Sequence, residues 1–434
     1  MRALTAAAVL LLGLAACESA TSERIEAWKG TQKGPEKIEA ALLGSNVPAH
    51  LRAEAAVALV DIGRPEKVDE IMASLEAGER AEILKILIEI DIKGMASPQV
   101  PKARDARDGL FSVRQYAPPD EQKRIDTALL ASIEKDLSEG RFSGGRHSLD
   151  KLLTAMGPPA GPMLVRLLGE PQAPYKGLAE LLVKVADEAT RDKGGAALLG
   201  RIAPGKPIAN DMWLALGMLG GHSVTEFLSG KLQKGSADEA IAAAKALQQS
   251  RFPSLLQTAL RVAGDAQANK ELRGEAFGVV EKIGGPEAEQ GLLRIIAADK
   301  NDIVRYRAHE AALEVGKAEA IVPALQAFSA KLSFKREDVI DFLVKDISKV
   351  GAKARPAVLS ALASPSPLAR MTAILALEAP LPTNAKARLG SAEDAAALGK
   401  LVDDKATLKG FPAGMTIGGE AKRVAQLLQG RGGS

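Results

Sequence analysis

One unit recurs along the 434-residue chain and limits its fold more than any other feature. It is an Ala-rich helical stretch stopped by a glycine, followed by Pro-Glu or a similar start and a second helical stretch. The clearest copy places Leu51, Ala53, Ala55, Ala56, Ala58, Leu59 and Ile62 before Gly63, then Pro65-Glu66 and Val68, Ile71, Met72 and Leu75. Its first half spaces apolar residues as a helix does and ends on the residue best suited to the left-handed conformation past a helix C-terminus. Its second half opens with Pro, which lacks the donor a first turn would orphan, and Glu, which favours the positive end of the helix dipole. The unit is therefore an αα-hairpin. It returns around Gly284, with Pro286-Glu287 behind it, and around Gly316, with Glu319 and Pro323 behind it. Weaker copies turn at Gly157, Gly220 and Gly351.

These glycines, from Gly157 to Gly351, stand 63, 64, 32 and 35 residues apart, near multiples of one unit of about 32. Residues 177–202 and 240–260 fill the two places without a turn glycine. A fixed period of this length marks a repeat array. Composition agrees: with only 9 Phe, 3 Tyr and 2 Trp in a chain that is 46% hydrophobic, Ala, Leu, Ile and Val carry the burial. Such residues suit helices that bury thin layers between neighbours. The expected fold is an all-α solenoid of stacked antiparallel helical hairpins over residues 35–380, a curved rod of about nine or ten hairpins at roughly 10 Å each. Residues 95–145 depart from the period, interrupted by Pro98, Pro101, Pro118-Pro119 and a Gly-rich stretch at 140–145. Residues 381–434 are expected to be a helical cap with a short helix at 420–429 and a disordered tail.

The unit resembles the HEAT repeat, in the short type also found in phycobilisome-lyase-like proteins. Asp302, Val304-Arg305, Ala308, Gly316 and Glu319-Ala320 carry the resemblance, as do Gly284 and Pro286-Glu287-Ala288. It implies a non-catalytic scaffold or adaptor that binds a protein on the concave face of its second helices, here residues 65–75, 161–168, 254–260, 286–296 and 319–328. A subunit of a secretion, motility or outer-membrane assembly machine is a second reading. A lyase-like enzyme of the phycobilisome-lyase type is the rival from another class.

The single Cys excludes a disulfide framework and any Cys-rich metal site. It lies in a telling place. Met1-Arg2 precedes an apolar run, residues 3–14, too short to span a bilayer and shaped like a signal-peptide core. The run ends Leu14-Ala15-Ala16-Cys17, which resembles the lipobox of bacterial lipoproteins; an ordinary signal peptide with a chance Cys is the alternative. The resemblance implies a signal peptide at 1–16, cleavage before Cys17, and acylation of Cys17 on its sulfur and new amine, palmitate included. It further implies a lipidated tether over 17–34 and a periplasm-facing, membrane-anchored chain. Glu18 is not the Asp that usually retains such proteins in the inner membrane, which points to the outer membrane. Trp28, close behind, is expected exposed at the membrane interface.

The remaining candidates are polar. Arg52, Arg146, Arg273 and Arg305 each lie eleven residues before a turn glycine, so in a solenoid they form a ladder. That ladder either binds an anionic ligand or bonds carboxylates and helix-end carbonyls of neighbouring repeats. Two basic clusters, Lys102/Arg104/Arg107 and Lys331/Lys335/Arg336 with Phe334, are either solvated faces or contacts for anionic lipid or an acidic partner. His50, His147, His222 and His309 are 75 to 97 residues apart without ligand spacing and read as surface residues near helix starts. No metal, cofactor or catalytic residue is expected. Gly200, Gly205 and Lys206 miss a phosphate loop because Pro207 stands where Ser or Thr would hold Mg²⁺. A net charge of +3, from 57 Lys+Arg against 54 Asp+Glu, argues against nucleic acid. Oligomeric state and the identity of the envelope partner are not encoded in these patterns.

Overall fold

The computed structural model describes residues 19–139, 141, 148–171, 173–329, 339–408 and 414–430. Helices make up most of it, in two compact units, Met1–Pro204 and Gly205–Ser434.

In the first unit the helices are α1 Ser22–Trp28, α2 Gly34–Leu43, α3 Ala49–Asp61, α4 Pro65–Ser74, α5 Ala77–Met95, α6 Val100–Val113, α7 Pro119–Ser138, α8 Leu149–Met156, α9 Gly161–Leu168, α10 Tyr175–Val185 and α11 Glu188–Leu199. Alternate helices stack, α3 on α5, α4 on α6, α8 on α10 and α9 on α11. The stretch out of period owes its irregularity to length, since α5 and α7 run 19 and 20 residues. The 17–34 segment is not simply a polar tether. From Ser22 it is α1, N-capped by Thr21 Oγ1, which accepts from the Arg24 amide at 3.3 Å. Ile25 and Trp28, one helical turn apart, give α1 an apolar face packed on α2 and α3, so Trp28 is only 8% exposed and is an interior residue, contrary to its expected place at a membrane surface.

The second unit holds α12 Asn210–Leu219, α13 His222–Lys234, α14 Ala237–Leu247, α15 Leu256–Gly264, α16 Lys270–Ile283, α17 Pro286–Ala298, α18 Asp302–Gly316, α19 Ile321–Ser329, α20 Val339–Val350, α21 Arg355–Ala361, α22 Pro367–Glu378, α23 Ala395–Gly399 and α24 Ile417–Leu428. First helices α12, α14, α16, α18, α20 and α22 stack in one row; second helices α13, α15, α17, α19 and α21 stack in another. This is an all-α solenoid. Small residues set the spacing: Ala243, Ala244, Ala308, Ala311, Ala312, Ala373 and Ala376 are fully buried in the first row. Between α12 and α14 the backbones approach so closely that a Cβ on Gly217 would stand 2.0 Å from the Ala246 carbonyl oxygen.

Gly63, Gly157, Gly220, Gly284 and Gly351 all have positive φ at their turns. The unit at Gly316 differs. There the helix runs through Gly316, whose absent Cβ makes room for Glu289 and Ala320, and the positive φ of 51° falls on Lys317.

The C-terminal segment departs from a helical cap. β1 Pro380–Leu381 pairs antiparallel with β2 Asn384–Arg388, at the start of the 381–434 segment expected to be a helical cap. Pro380 and Pro382 lack backbone donors and bias their predecessors towards extended backbone, so α22 cannot continue. Asn384 Oδ1 then accepts from the Lys386 amide at 3.1 Å. Residues 400–408 are likewise non-helical, and α24 begins at Ile417 rather than 420. α24 packs on α22, with Arg423 bonded to Glu378 at 3.1 Å, and covers the last repeat. The expected disordered tail, 431–434, lies outside the described residues, as do 1–18.

Candidate functional site

The arginine register is a structural device. Arg52 Nε donates to the Leu42 carbonyl at 2.8 Å, Arg273 Nε to Ala263 at 2.9 Å and Arg305 Nε to Ile296 at 2.7 Å. Each acceptor lies in the last turn of the preceding helix, where carbonyls lack intrahelical partners and the dipole favours a cation. The terminal nitrogens reach onward: Arg273 to Asp299 at 2.7 Å, Arg305 to the Phe328 carbonyl in the next second helix, while Arg52 stands 3.6 Å from Glu79. Their exposures of 4%, 6% and 1% leave no stripe for an anionic ligand. Arg146 lies outside the described residues.

The first basic cluster is divided between surface and interior. Lys102 is exposed, Arg104 is half-buried, and Arg107 is fully buried with its guanidinium donating to Asp136 at 2.7 Å. Arg104 stands 3.8 Å from the same carboxylate, and Arg141 donates to it at 2.9 Å. Asp136, on α7, thus turns a cationic run into an interior ion network. Lys331, Lys335, Arg336 and Phe334 lie outside the described residues, as do Cys17 and His147. His50 and His222 are exposed near helix starts. His309 is not: it is fully buried in mid-helix α18, its Nδ1 3.2 Å from Asp346 and its ring edge-on to Phe328. Period 3.6 turns its position inward, between Arg305 and Ala312.

A further candidate cavity lies elsewhere, between first helices α18 and α20. A groove of about 440 Å³ is lined by Ile303, Tyr306, Val339 and Phe342, with Asp302, Arg307, Glu310, Lys345, Asp346 and Lys349 around it. That size falls within the range of binding clefts. Tyr306 forms its floor, its ring 5.4 Å from Phe328 inside and 5.3 Å from Phe342 outside, its hydroxyl donating to the Val339 carbonyl at 2.8 Å. Ile303 and Phe342 rise on the two sides, 54% and 49% exposed. Among the described residues no large apolar side chain is more exposed than Ile303.

The charges around the groove are mostly satisfied. Arg307 bonds Glu310 at 2.6 Å and pairs with Glu281 at 3.1 Å, and Lys349 bonds Glu310 at 2.8 Å and Asp346 at 3.2 Å. Burial opposes ionisation of Glu310, but Lys349 and Arg307 outweigh it and hold its carboxyl below the ordinary range. Lys345 is exposed and has no ion-pair partner among the described residues. A wider recess of about 600 Å³ over α13 has its aromatic wall already covered: Phe227 stacks on Trp213 at 5.8 Å, and Lys231, paired with Glu239, lies over Phe227.

No sequence pattern marked the groove. Ile303 and Phe342 occupy outward positions of amphipathic helices, and an apolar residue there was the one available signal. Among the described residues no helix is long and apolar enough to cross a membrane, and no group of three or more His, Cys, Asp or Glu could hold a metal ion.

Residues 225–313, from α13 to α18, match the HEAT-repeat family. No curated protein matches the chain. Among solved structures, a crystal structure of Kap121p bound to Pho4p is similar at 13% identity and a TM-score of 0.39, over 86% of this chain; the chain spans about half of that protein, 48%.

Proposed function

We propose that the protein is a non-catalytic scaffold that binds another protein through the groove between α18 and α20, tethered by lipid on Cys17 to the cell envelope. One observation carries the binding: the two protruding apolar residues, Ile303 and Phe342, flank one preformed cleft. Exposed apolar residues gathered on the rim of a cleft suit an interaction site. The HEAT-type repeats over 225–313 supply a stiff frame for it. The groove belongs to the first-helix row, whereas the repeat pattern had pointed to the second. The tether rests on Leu14-Ala15-Ala16-Cys17, behind which α1 starts within a few residues. Two or three acyl chains, at about 0.8 kcal/mol per buried CH₂, hold a protein stably at a membrane. Outer rather than inner membrane follows from Glu18.

Affinity capture from detergent-solubilised envelopes, comparing the native chain with Phe342→Asp, tests this function. The reading expects one or a few proteins to be lost from the variant while its melting temperature is unchanged. An identical set of captured proteins would overturn the groove as the binding site.

A further inference from the structure

The charges around the groove balance. Its lining holds Asp302, Glu310 and Asp346 against Arg307, Lys345 and Lys349. Most are engaged within the chain: Glu310 holds Arg307 and Lys349, Lys349 also holds Asp346, and Asp302 stands 3.4 Å from the buried Arg305. Two charges on α20 are left without an ion-pair partner among the described residues, and they are of opposite sign. Lys345 is one; Asp341, exposed in the first turn of α20, is the other. Four residues apart on a helix, they share one face and stand about 6 Å apart along its axis. Phe342 lies beside them on the groove side, 49% exposed. A two-fold contact sets the conditions this arrangement meets. In such a contact the same patch faces itself, so residue i of one copy meets j of the other and j meets i. A patch with net charge would repel its copy, and one without apolar surface at its centre would not hold it. An axis passing between Asp341 and Lys345 runs α20 antiparallel to its copy. It sets each Asp341 opposite the other copy's Lys345 and brings each Phe342 to the other copy's groove.

We propose that the groove is the contact of a two-fold homodimer: Phe342 of each copy enters the groove of the other beside Ile303, flanked by two symmetry-related Asp341–Lys345 pairs. An unrelated partner would have to supply both charges at the same spacing beside an apolar anchor, and a second copy has all three in place. The apolar contacts supply most of the affinity, and the charge pairs fix the register. This inference rests on the groove being the docking site and names a second copy of this chain as the protein docked there.

The test is co-capture of two differently tagged full chains made in the same cells, from membranes dissolved in excess detergent. The first tag is expected to bring down the second. Phe342→Asp in both chains should lower that yield more than about tenfold. Asp341→Lys in both chains sets two like-charge contacts across the axis and should lower it at least about threefold, more so at low salt. Adding Lys345→Asp to that variant exchanges the pair and should restore the yield. Asp341, Phe342 and Lys345 are exposed, so an unchanged melting temperature is the control for folding. No co-capture, a yield unaffected by Phe342→Asp, or one that the double exchange fails to restore would overturn the second copy. If Phe342→Asp then removes a different captured protein, the groove stands as a docking site and only its occupant falls. If it removes nothing, both fall.

Discussion

Replacing Arg305 by Met removes the clamp between consecutive repeats while keeping most of its packing volume. The native guanidinium donates to the Ile296 carbonyl at 2.7 Å and to the Phe328 carbonyl, stands 3.4 Å from Asp302, and lies 4.2 Å from the Phe328 ring centre. Ile296 and Phe328 have 0% exposure, so water does not readily replace the lost donors. Each stranded acceptor costs about 1–3 kcal/mol and the lost cation–π contact about 0.5–2 kcal/mol. Burial already lowers the Arg305 pKa, against the pull of Asp302, so removing the charge returns part of its desolvation cost. The net loss is about 3 kcal/mol. Arg52, which bonds one carbonyl and faces a partly exposed Glu79, loses about 1 kcal/mol by the same reasoning. The two tryptophans fall one in each unit, Trp28 and Trp213. Urea unfolding of the Trp28→Phe chain, followed by fluorescence, therefore reports the second unit through Trp213, and a lower midpoint at unchanged slope measures the loss. An Arg305→Met loss below about 0.5 kcal/mol, or one no larger than the Arg52→Met loss followed through Trp28 in a Trp213→Phe chain, would refute the clamp.

Three further outcomes are expected. Asp91 is buried with one carboxyl oxygen unpartnered, and burial, reinforced by Asp61, pushes its pKa well above the ordinary value. The folded chain then keeps a proton that the unfolded chain releases above about pH 4, so this group costs stability progressively as pH rises from there towards the raised pKa. Asp91→Asn should be more stable at neutral pH and lose that part of the slope; urea midpoints at acid and neutral pH measure it, and an unchanged slope contradicts it. Lys317 holds a φ of 51° that glycine adopts without strain. Lys317→Gly should gain about 1 kcal/mol in urea unfolding, and a loss would show the turn to be unstrained. Cys17→Ser should leave the membrane pellet for the soluble fraction, and a variant that still pellets in carbonate-washed membranes sinks the lipid tether.

The hairpin repeat was legible because it is written locally: a helical period, a glycine and a Pro-Glu start stand within a few residues of one another. The arginine register was legible for the same reason, since Arg305 and Ile296 are only 9 residues apart. What failed was non-local. Arg104 and Arg107 read as part of a basic patch because their counter-ion, Asp136, lies 29 residues beyond Arg107. His309 read as a surface residue because its partner, Asp346, is 37 residues away. The groove joins Ile303 and Tyr306 to Val339 and Phe342 across a repeat boundary. Each of those helices reads as an ordinary amphipathic segment, and only their stacking creates the cleft. The C-terminal hairpin failed for a different reason: two prolines close together outweighed an apolar pattern that suits a helix.

Photo-crosslinking in intact cells tests the docking claim most directly. A photoreactive amino acid is placed at Phe342, in the groove, or at Ser223, an exposed position on second helix α13. The account predicts a discrete protein adduct from position 342 that Ile303→Asp abolishes, and none from position 223. An adduct from 223 alone, or one from 342 that survives Ile303→Asp, would contradict it.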